Sequence, residues 1–114
     1  MKRIRRKNKK NFYIEGTGNE IRSFIHIKDF LNAFKILLQK GKHLEIYNIG
    51  NSEKVRIIEL AKMISVIMNI KVKIVKKPLK KGGTKIRIPD IQKITKLGFK
   101  NQITLKKGLS SLIE

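Results

Sequence analysis

The sequence contains no cysteine, two prolines in 114 residues, and only eight acidic side chains. Without cysteine, a disulfide framework and a thiolate zinc site are both excluded. That absence agrees with a reducing compartment, and the cytoplasm is the expected location. No stretch approaches the roughly 20 mostly apolar residues that a transmembrane helix requires. The first ten residues, Met1 to Lys10, are basic but lack the apolar core of a secretion signal. Aromatic residues make up 6% of the chain, which leaves few platforms for stacking on nucleic-acid bases. Phe12 and Tyr13, beside the basic opening, fit core packing better than such stacking. His26 and His43 have no Cys, Asp or second His at ligand spacing, so no metal site is expected.

What the sequence has in excess is positive charge: 28 Lys and Arg give a formal net charge of +20. Such a balance attracts polyanions, or one anionic ligand where the charge converges on a cleft. Only six of these cations are arginine, and isoleucine is the commonest apolar residue. A coding bias toward Lys and Ile explains much of the charge equally well, with the lysines spread over solvated faces. At this length the chain is one domain at most, burying roughly 60–70% of its unfolded surface.

Periodicity divides the chain into short alternating elements. Phe12-Tyr13-Ile14 predicts a strand ended by the Gly16-Thr17-Gly18-Asn19 turn. Phe24, Ile25 and Ile27 predict a second strand, with Asp29 as a helix cap or first-turn acid. Phe30, Ala33, Phe34, Leu37 and Leu38 recur at helical spacing, and Gly41 closes that helix. Leu44 to Ile49 reads as a strand, Ile57 to Met68 as an amphipathic helix, and Val72, Ile74 and Val75 as a strand ended by Pro78. Residues 79–88 form a basic, glycine-containing loop. Pro89-Asp90 opens a short helix with Ile91, Ile94 and Leu97 inward and Gly98 as its stop. Thr104 caps a terminal helix carrying Leu105, Leu109, Leu112 and Ile113. The expectation is an α/β fold of three to four short strands and about four helices, too few strands for a complete doubly wound sheet.

The segment Gly16-Thr17-Gly18-Asn19-Glu20-Ile21-Arg22-Ser23-Phe24-Ile25-His26-Ile27-Lys28-Asp29 resembles the G-x-G-x-x-x-R-[SD]-[FWY]-x-x-V-x-D block of the extended short-chain dehydrogenase/reductases. That family comprises nucleotide-sugar epimerases, 4,6-dehydratases and UDP-glucuronate decarboxylases. Tyr47-Asn48-Ile49-Gly50 is similar to its Y-N-[IL]-G strand end, and Glu59-Leu60-Ala61 to its I-x-E-L-A-x-x-I helix. Arg87-Ile88-Pro89-Asp90-Ile91-Gln92-Lys93 resembles R-x-P-D-I-x-K. Leu97-Gly98-Phe99 and Thr104 to Leu109 resemble the L-G-[WF] and [ST]-L-x-x-G-[LI] blocks. Each block alone is weak; together, in order, they cover nearly everything after Lys10.

The resemblance implies the carboxy-terminal, substrate-binding region of such an enzyme, here residues 12–114. Residues 1–11 form a basic lead-in read as the end of a truncated helix. It also implies what is not among these residues: the Rossmann glycine turn that holds the NAD pyrophosphate, and the Tyr-x-x-x-Lys pair. Tyr13 is followed four places on by Thr17, and Tyr47 by Asn51. No catalytic residue and no cofactor are therefore assigned to this chain, while NAD is implied for a complete enzyme. The lone G-x-G at Gly16 and Gly18 enters a strand rather than a helix, which argues against an anion cradle there.

By the same resemblance, Arg22 reaches the diphosphate of a nucleotide sugar of the UDP-sugar type, since a guanidinium holds two oxygens at once. Arg87 and Lys85 approach the same diphosphate from the loop. Lys85 stands where the family usually has arginine, and Gly83-Thr84 replace Asp-Pro, so Lys85 brings charge without the fork. Asn48 is assigned a structural role in the substrate pocket, its amide buried against a turn backbone. The partners implied are a nucleotide sugar and, possible alongside it, a separately encoded Rossmann half; no membrane is implied. Two alternatives stay open: a basic module binding nucleic acid non-specifically, and a truncated remnant without function.

Overall fold

Two strands far apart in sequence, both β-branched or aromatic in character, form the longest ladder of the computed structural model, which describes residues 10–78 and 83–113. Strand β1 (Lys10–Glu15) pairs in parallel with β4 (Val72–Lys77) over six residues, from Lys10 opposite Val72 to Glu15 opposite Lys77. The strand expected from Phe12 thus begins two residues earlier. Residues 1–9 of the basic lead-in lie outside the described residues. A parallel pair requires a long crossover, and everything between residues 16 and 71 supplies it.

Inside that crossover, β2 (Ile21–Arg22) pairs antiparallel with β3 (Val55–Arg56), Ile21 opposite Arg56 and Arg22 opposite Val55. Helices α1 (Ile27–Lys40) and α2 (Ile57–Met68) follow β2 and β3. The remaining helices are α3 (Gln92–Lys96) and α4 (Leu105–Ile113). Helix α2 spans the predicted residues, and its N-terminus is tied by the Arg56 backbone N–H donating to Glu59 Oε1 at 3.1 Å. Asn69 ends it in the left-handed region, φ 54°, a conformation asparagine tolerates.

Two predicted strands are absent. At 24–27 the helix wins: the His26 side chain caps α1 by accepting the Lys28 N–H at Nδ1 (3.0 Å), and Ile27 is already helical. His26 therefore neither lines a strand face nor alternates with one. At 44–49 Leu44 takes a left-handed φ of 61°, which an extended strand cannot include. No described strand pairs with the residues that follow.

The core is small. Ala33 of α1, Ile94 of α3 and Phe99 form its buried cluster, with Ile36, Leu37, Tyr47, Ile49 and Ile91 packed around it. Asp29, buried in the first turn of α1, is not the helix cap. Its carboxylate accepts the backbone N–H groups of Gln102 (3.1 Å) and Ile103 (3.0 Å), which ties the approach to α4 onto α1. Thr104 caps α4 as expected, its Oγ1 accepting the Lys107 N–H at 3.2 Å. The molecule is thin, 54 × 35 × 16 Å, with a radius of gyration of 17.0 Å. A compact domain of similar length would have about 13 Å.

Candidate functional site

The turn after β1 is organised by an internal anion. Gly16 and Gly18 both have positive φ, 84° and 91°, and the backbone between them curls around the Glu20 carboxylate. Glu20 accepts the Thr17 N–H at 3.1 Å, the Gly18 N–H at 2.9 Å and the Thr17 hydroxyl at 3.3 Å. A Cβ on Gly16 would lie 2.4 Å from Glu20 Oε2, and one on Gly18 3.0 Å from Ile58 Cβ. The positive φ favours glycine at both positions, and a side chain at Gly16 would also displace the Glu20 carboxylate from the turn. Hydrogen bonds from its own backbone N–H, then from Thr17 and Gly18, hold the Glu20 carboxyl below the usual range, against the opposing effect of burial.

This turn delivers the chain into β2 and so positions Arg22. On the side of β2 away from β3 lies the segment 85–87. The Ile21 N–H donates to the Lys85 carbonyl at 2.7 Å, and the Arg87 N–H to the Ile21 carbonyl at 2.9 Å. Ile21 and Ile86 thus form a parallel bridge. Side chains alternate across a pleat, so Arg22 and Arg87, the next residues on each strand, share the face opposite Ile21 and Ile86. Lys85 precedes the bridge on that same face.

The three cations expected at one site therefore come from adjoining backbone, though they are not equally available. One Arg22 guanidinium nitrogen donates to the Thr84 carbonyl at 2.6 Å and another to the Ile21 carbonyl at 2.9 Å. Arg22 is half-buried and latches the loop to β2. Lys85 and Arg87 are exposed, and among the described residues their side chains have no hydrogen-bond or ion-pair partner. The residues 79–82 of the same loop lie outside the described residues.

Asn48 departs from the expected burial. It is exposed, and its Nδ2 donates to the Asp90 carbonyl at 3.3 Å. It does bond a backbone, but one across the surface rather than in its own turn. Beside it Gly50 is buried under Pro89, where a Cβ would come within 2.4 Å of Pro89 Cγ. An open hollow of about 470 Å³ lies next to this contact, lined by Ser52, Pro89, Asp90, Gln92 and Thr95 among others. A narrower cavity of about 260 Å³ sits between α2 and α4, lined mostly by apolar side chains such as Phe24, Leu60, Ile64 and Leu109. Neither is lined by Arg22, Lys85 or Arg87.

Sequence reasoning missed Glu20, Thr84 and Asn51. Glu20 carried a usable signal, a carboxylate two residues past the second glycine of a G-x-G turn. Thr84 and Asn51 act through carbonyls, Thr84 toward Arg22 and Asn51 toward the Ser23 hydroxyl, and carbonyls are invisible in side-chain patterns. No group of three or more potential metal ligands occurs among the described residues, and no helix of the described residues is long and apolar enough to cross a membrane.

Residues 1–112 match the family model described as GDP-mannose 4,6 dehydratase. Probable GDP-L-fucose synthase 1 of Oryza sativa subsp. japonica is 34% identical over 94 residues, 82% of this chain and 29% of that protein. The UDP-glucose 4-epimerase of Thermotoga maritima, solved with UDP-glucose, superposes with a TM-score of 0.82 at 26% identity, over 90% of this chain and 33% of that one. A dTDP-glucose 4,6-dehydratase of Streptomyces venezuelae, solved with NAD bound, gives 0.80 at 24% identity, over 91% and 33%. This last likeness concerns the fold alone. The mixed α/β arrangement expected from the sequence is that of these structures over about 90% of the chain. The chain spans about 29% of the length of the rice protein.

Proposed function

Because the chain belongs to the GDP-mannose 4,6-dehydratase family, within the NAD-dependent nucleotide-sugar epimerases and dehydratases of the extended short-chain dehydrogenase/reductases, we propose that it forms the nucleotide-sugar-holding portion of such an enzyme. The diphosphate lies against Arg87, Lys85 and Arg22. The observation that carries this reading is the double backbone bond of Ile21 to Lys85 and Arg87, which sets three cations from distant sequence on one pleat face. Anchoring the diphosphate there would position the sugar for chemistry supplied by other residues.

These residues do not fit NAD. The N–H groups of the Gly16–Gly18 turn are already taken, that of Gly16 by the Lys77 carbonyl and those of Thr17 and Gly18 by Glu20, and neither Tyr13 nor Tyr47 is followed by lysine four residues on. The 114 residues alone are accordingly inactive in this reading, and NAD belongs to the complete enzyme.

Arg87 is the cleanest probe, because its guanidinium is exposed and unengaged while that of Arg22 holds the loop. The test is a thermal-shift and calorimetric series with UDP-glucose, GDP-mannose, UDP and inorganic phosphate at moderate salt. A charge-assisted contact is worth about 1.5–3 kcal/mol, so Arg87→Ala should weaken nucleotide-sugar binding by roughly ten- to a hundredfold without lowering the melting temperature of the free chain. Equal affinity for nucleotide sugar and phosphate, falling steeply with salt in the manner of counterion release, would refute it. That outcome would favour the non-specific polyanion reading, which the net charge of +20 supports.

A further inference from the structure

We propose that the recess where the C-terminal ends of α1 and α3 meet is a second anion site, one that takes a compact dianion of the phosphate type. It shares no residue with the face of Arg22, Lys85 and Arg87, and it stands whether or not that face holds a diphosphate.

The sequence brings lysine to this place from two directions. Lys40 and Lys42 flank Gly41, which ends α1, while Lys93 and Lys96 stand three residues apart on α3, a spacing that puts them on one side of a helix. Ala33 of α1 and Ile94 of α3 belong to the same buried cluster, so the two helix ends come together. The hollow between them measures about 220 Å³ and is lined by Lys42, Glu45, Tyr47, Lys93, Lys96 and Leu97.

The lysines are not equivalent. Cations near helix C-termini ordinarily serve backbone carbonyls, and two of these do. Lys40 Nζ donates to the Leu97 carbonyl at 3.5 Å, and Lys93 Nζ donates to the Ile46 carbonyl at 3.2 Å and pairs with Glu45. Lys42 and Lys96 have no such duty. Among the described residues neither ammonium group has a hydrogen-bond or ion-pair partner. Glu45, the one carboxylate lining the hollow, is committed to Lys93. The hydrogen bond and charge of Lys93, then the charge of Lys42, hold its carboxyl below the usual range. Two cations thus line the recess without a counterion.

Tyr47 supplies a neutral donor beside them. Its ring packs on the core cluster and its hydroxyl oxygen accepts the Lys42 N–H at 3.0 Å, while among the described residues its own proton has no acceptor. Charges of one sign gathered in a cleft concentrate counterions there. A carboxylate would match one of the two free cations. A phosphate group carries about 1.5–2 negative charges near neutrality and three acceptor oxygens, which matches both ammonium groups and the phenol.

The test is calorimetry on the whole chain at fixed ionic strength, with inorganic phosphate and glycerol 3-phosphate as probes. The background is Arg87→Ala, which removes an exposed cation of the other face. Phosphate should bind one-to-one. Lys96→Gln, at an exposed position, should weaken it by about tenfold or more, and Tyr47→Phe by about two- to tenfold. Circular dichroism should be unchanged in both. Lys73→Gln, an equal loss of charge on β4, should change the affinity by less than about twofold. The tighter of the two probes identifies the source as free phosphate or a phosphate monoester. Equal weakening by Lys96→Gln and Lys73→Gln would reveal diffuse attraction and overturn the proposal. So would the lack of saturable binding of either probe, or a loss of UDP-glucose affinity in Lys96→Gln with Arg87 intact.

Discussion

Ile94 is the side chain on which the small core turns, and replacing it tests how the candidate surface is held. It is fully buried, 0% exposed, in α3. Around its cluster pack Ile91, Tyr47 and Ile49, the residues flanking the Asn48–Asp90 bond and the Gly50–Pro89 contact. Ile94→Ala removes three carbons. At about 0.8 kcal/mol per buried methylene the transfer loss is about 2.4 kcal/mol, and an unrelaxed cavity brings such substitutions to about 2–5 kcal/mol. Whole domains are stable by only about 5–15 kcal/mol, and a core with this few buried residues belongs at the lower end. The variant should lose about 10–20 °C in melting temperature, at about 4–8 °C per kcal/mol for domains near this size. Urea unfolding followed by circular dichroism measures the change, with Ile94→Val expected to cost about 0.5–1.5 kcal/mol. The exposed Leu112→Ala is the control and should stay within about 0.5 kcal/mol. A loss below about 1 kcal/mol for Ile94→Ala, or equal losses for Ile94→Ala and Leu112→Ala, would refute a core centred on this cluster.

The Glu20 carboxylate gives a pH dependence of defined sign. Its folded pKa is depressed, so its contribution is complete above the unfolded value of about 4.3 and is lost as pH falls through the folded one. Acid titration of wild type and Glu20→Gln should therefore show melting temperatures converging below about pH 4 and separating above it; parallel curves would remove Glu20 from this role. Gly50→Ala forces a methyl into Pro89 and should cost about 1–3 kcal/mol by overpacking, read by urea unfolding. Asp29→Ala leaves the Gln102 and Ile103 N–H groups without their acceptor, at about 1–3 kcal/mol. Faster hydrogen exchange at those two amides is the specific signature, and unchanged exchange there would contradict the tie between α1 and α4.

The helices were legible in the sequence because their causes are local. Helix α2 occupies the residues its periodicity marked, and Thr104 and Gly98 bound their elements through chemistry within a turn or two. Strands were legible only where a partner follows within the chain, as β1 and β4 do. Residues 24–27 and 44–49 carry strand-like side chains, but one is overruled by the His26 cap and the other has no described strand to pair with. A strand is a relation between segments, and its composition states only half of that relation.

The candidate site divides in the same way. Resemblance to the family's motifs singled out Arg22, Lys85 and Arg87, and its place before a glycine singled out Asn48. Tertiary structure decided which of their groups are spent, because hydrogen bonds to carbonyls depend on where distant backbone lies. It turned Arg22 toward the Thr84 carbonyl, left Arg87 open, brought Asn48 to the surface against Asp90 and filled the G-x-G turn with Glu20. The sequence by itself determined the residue types and the local helices. Only the folded chain determined neighbours and availability, since both depend on contacts that side-chain order along one strand of text does not contain.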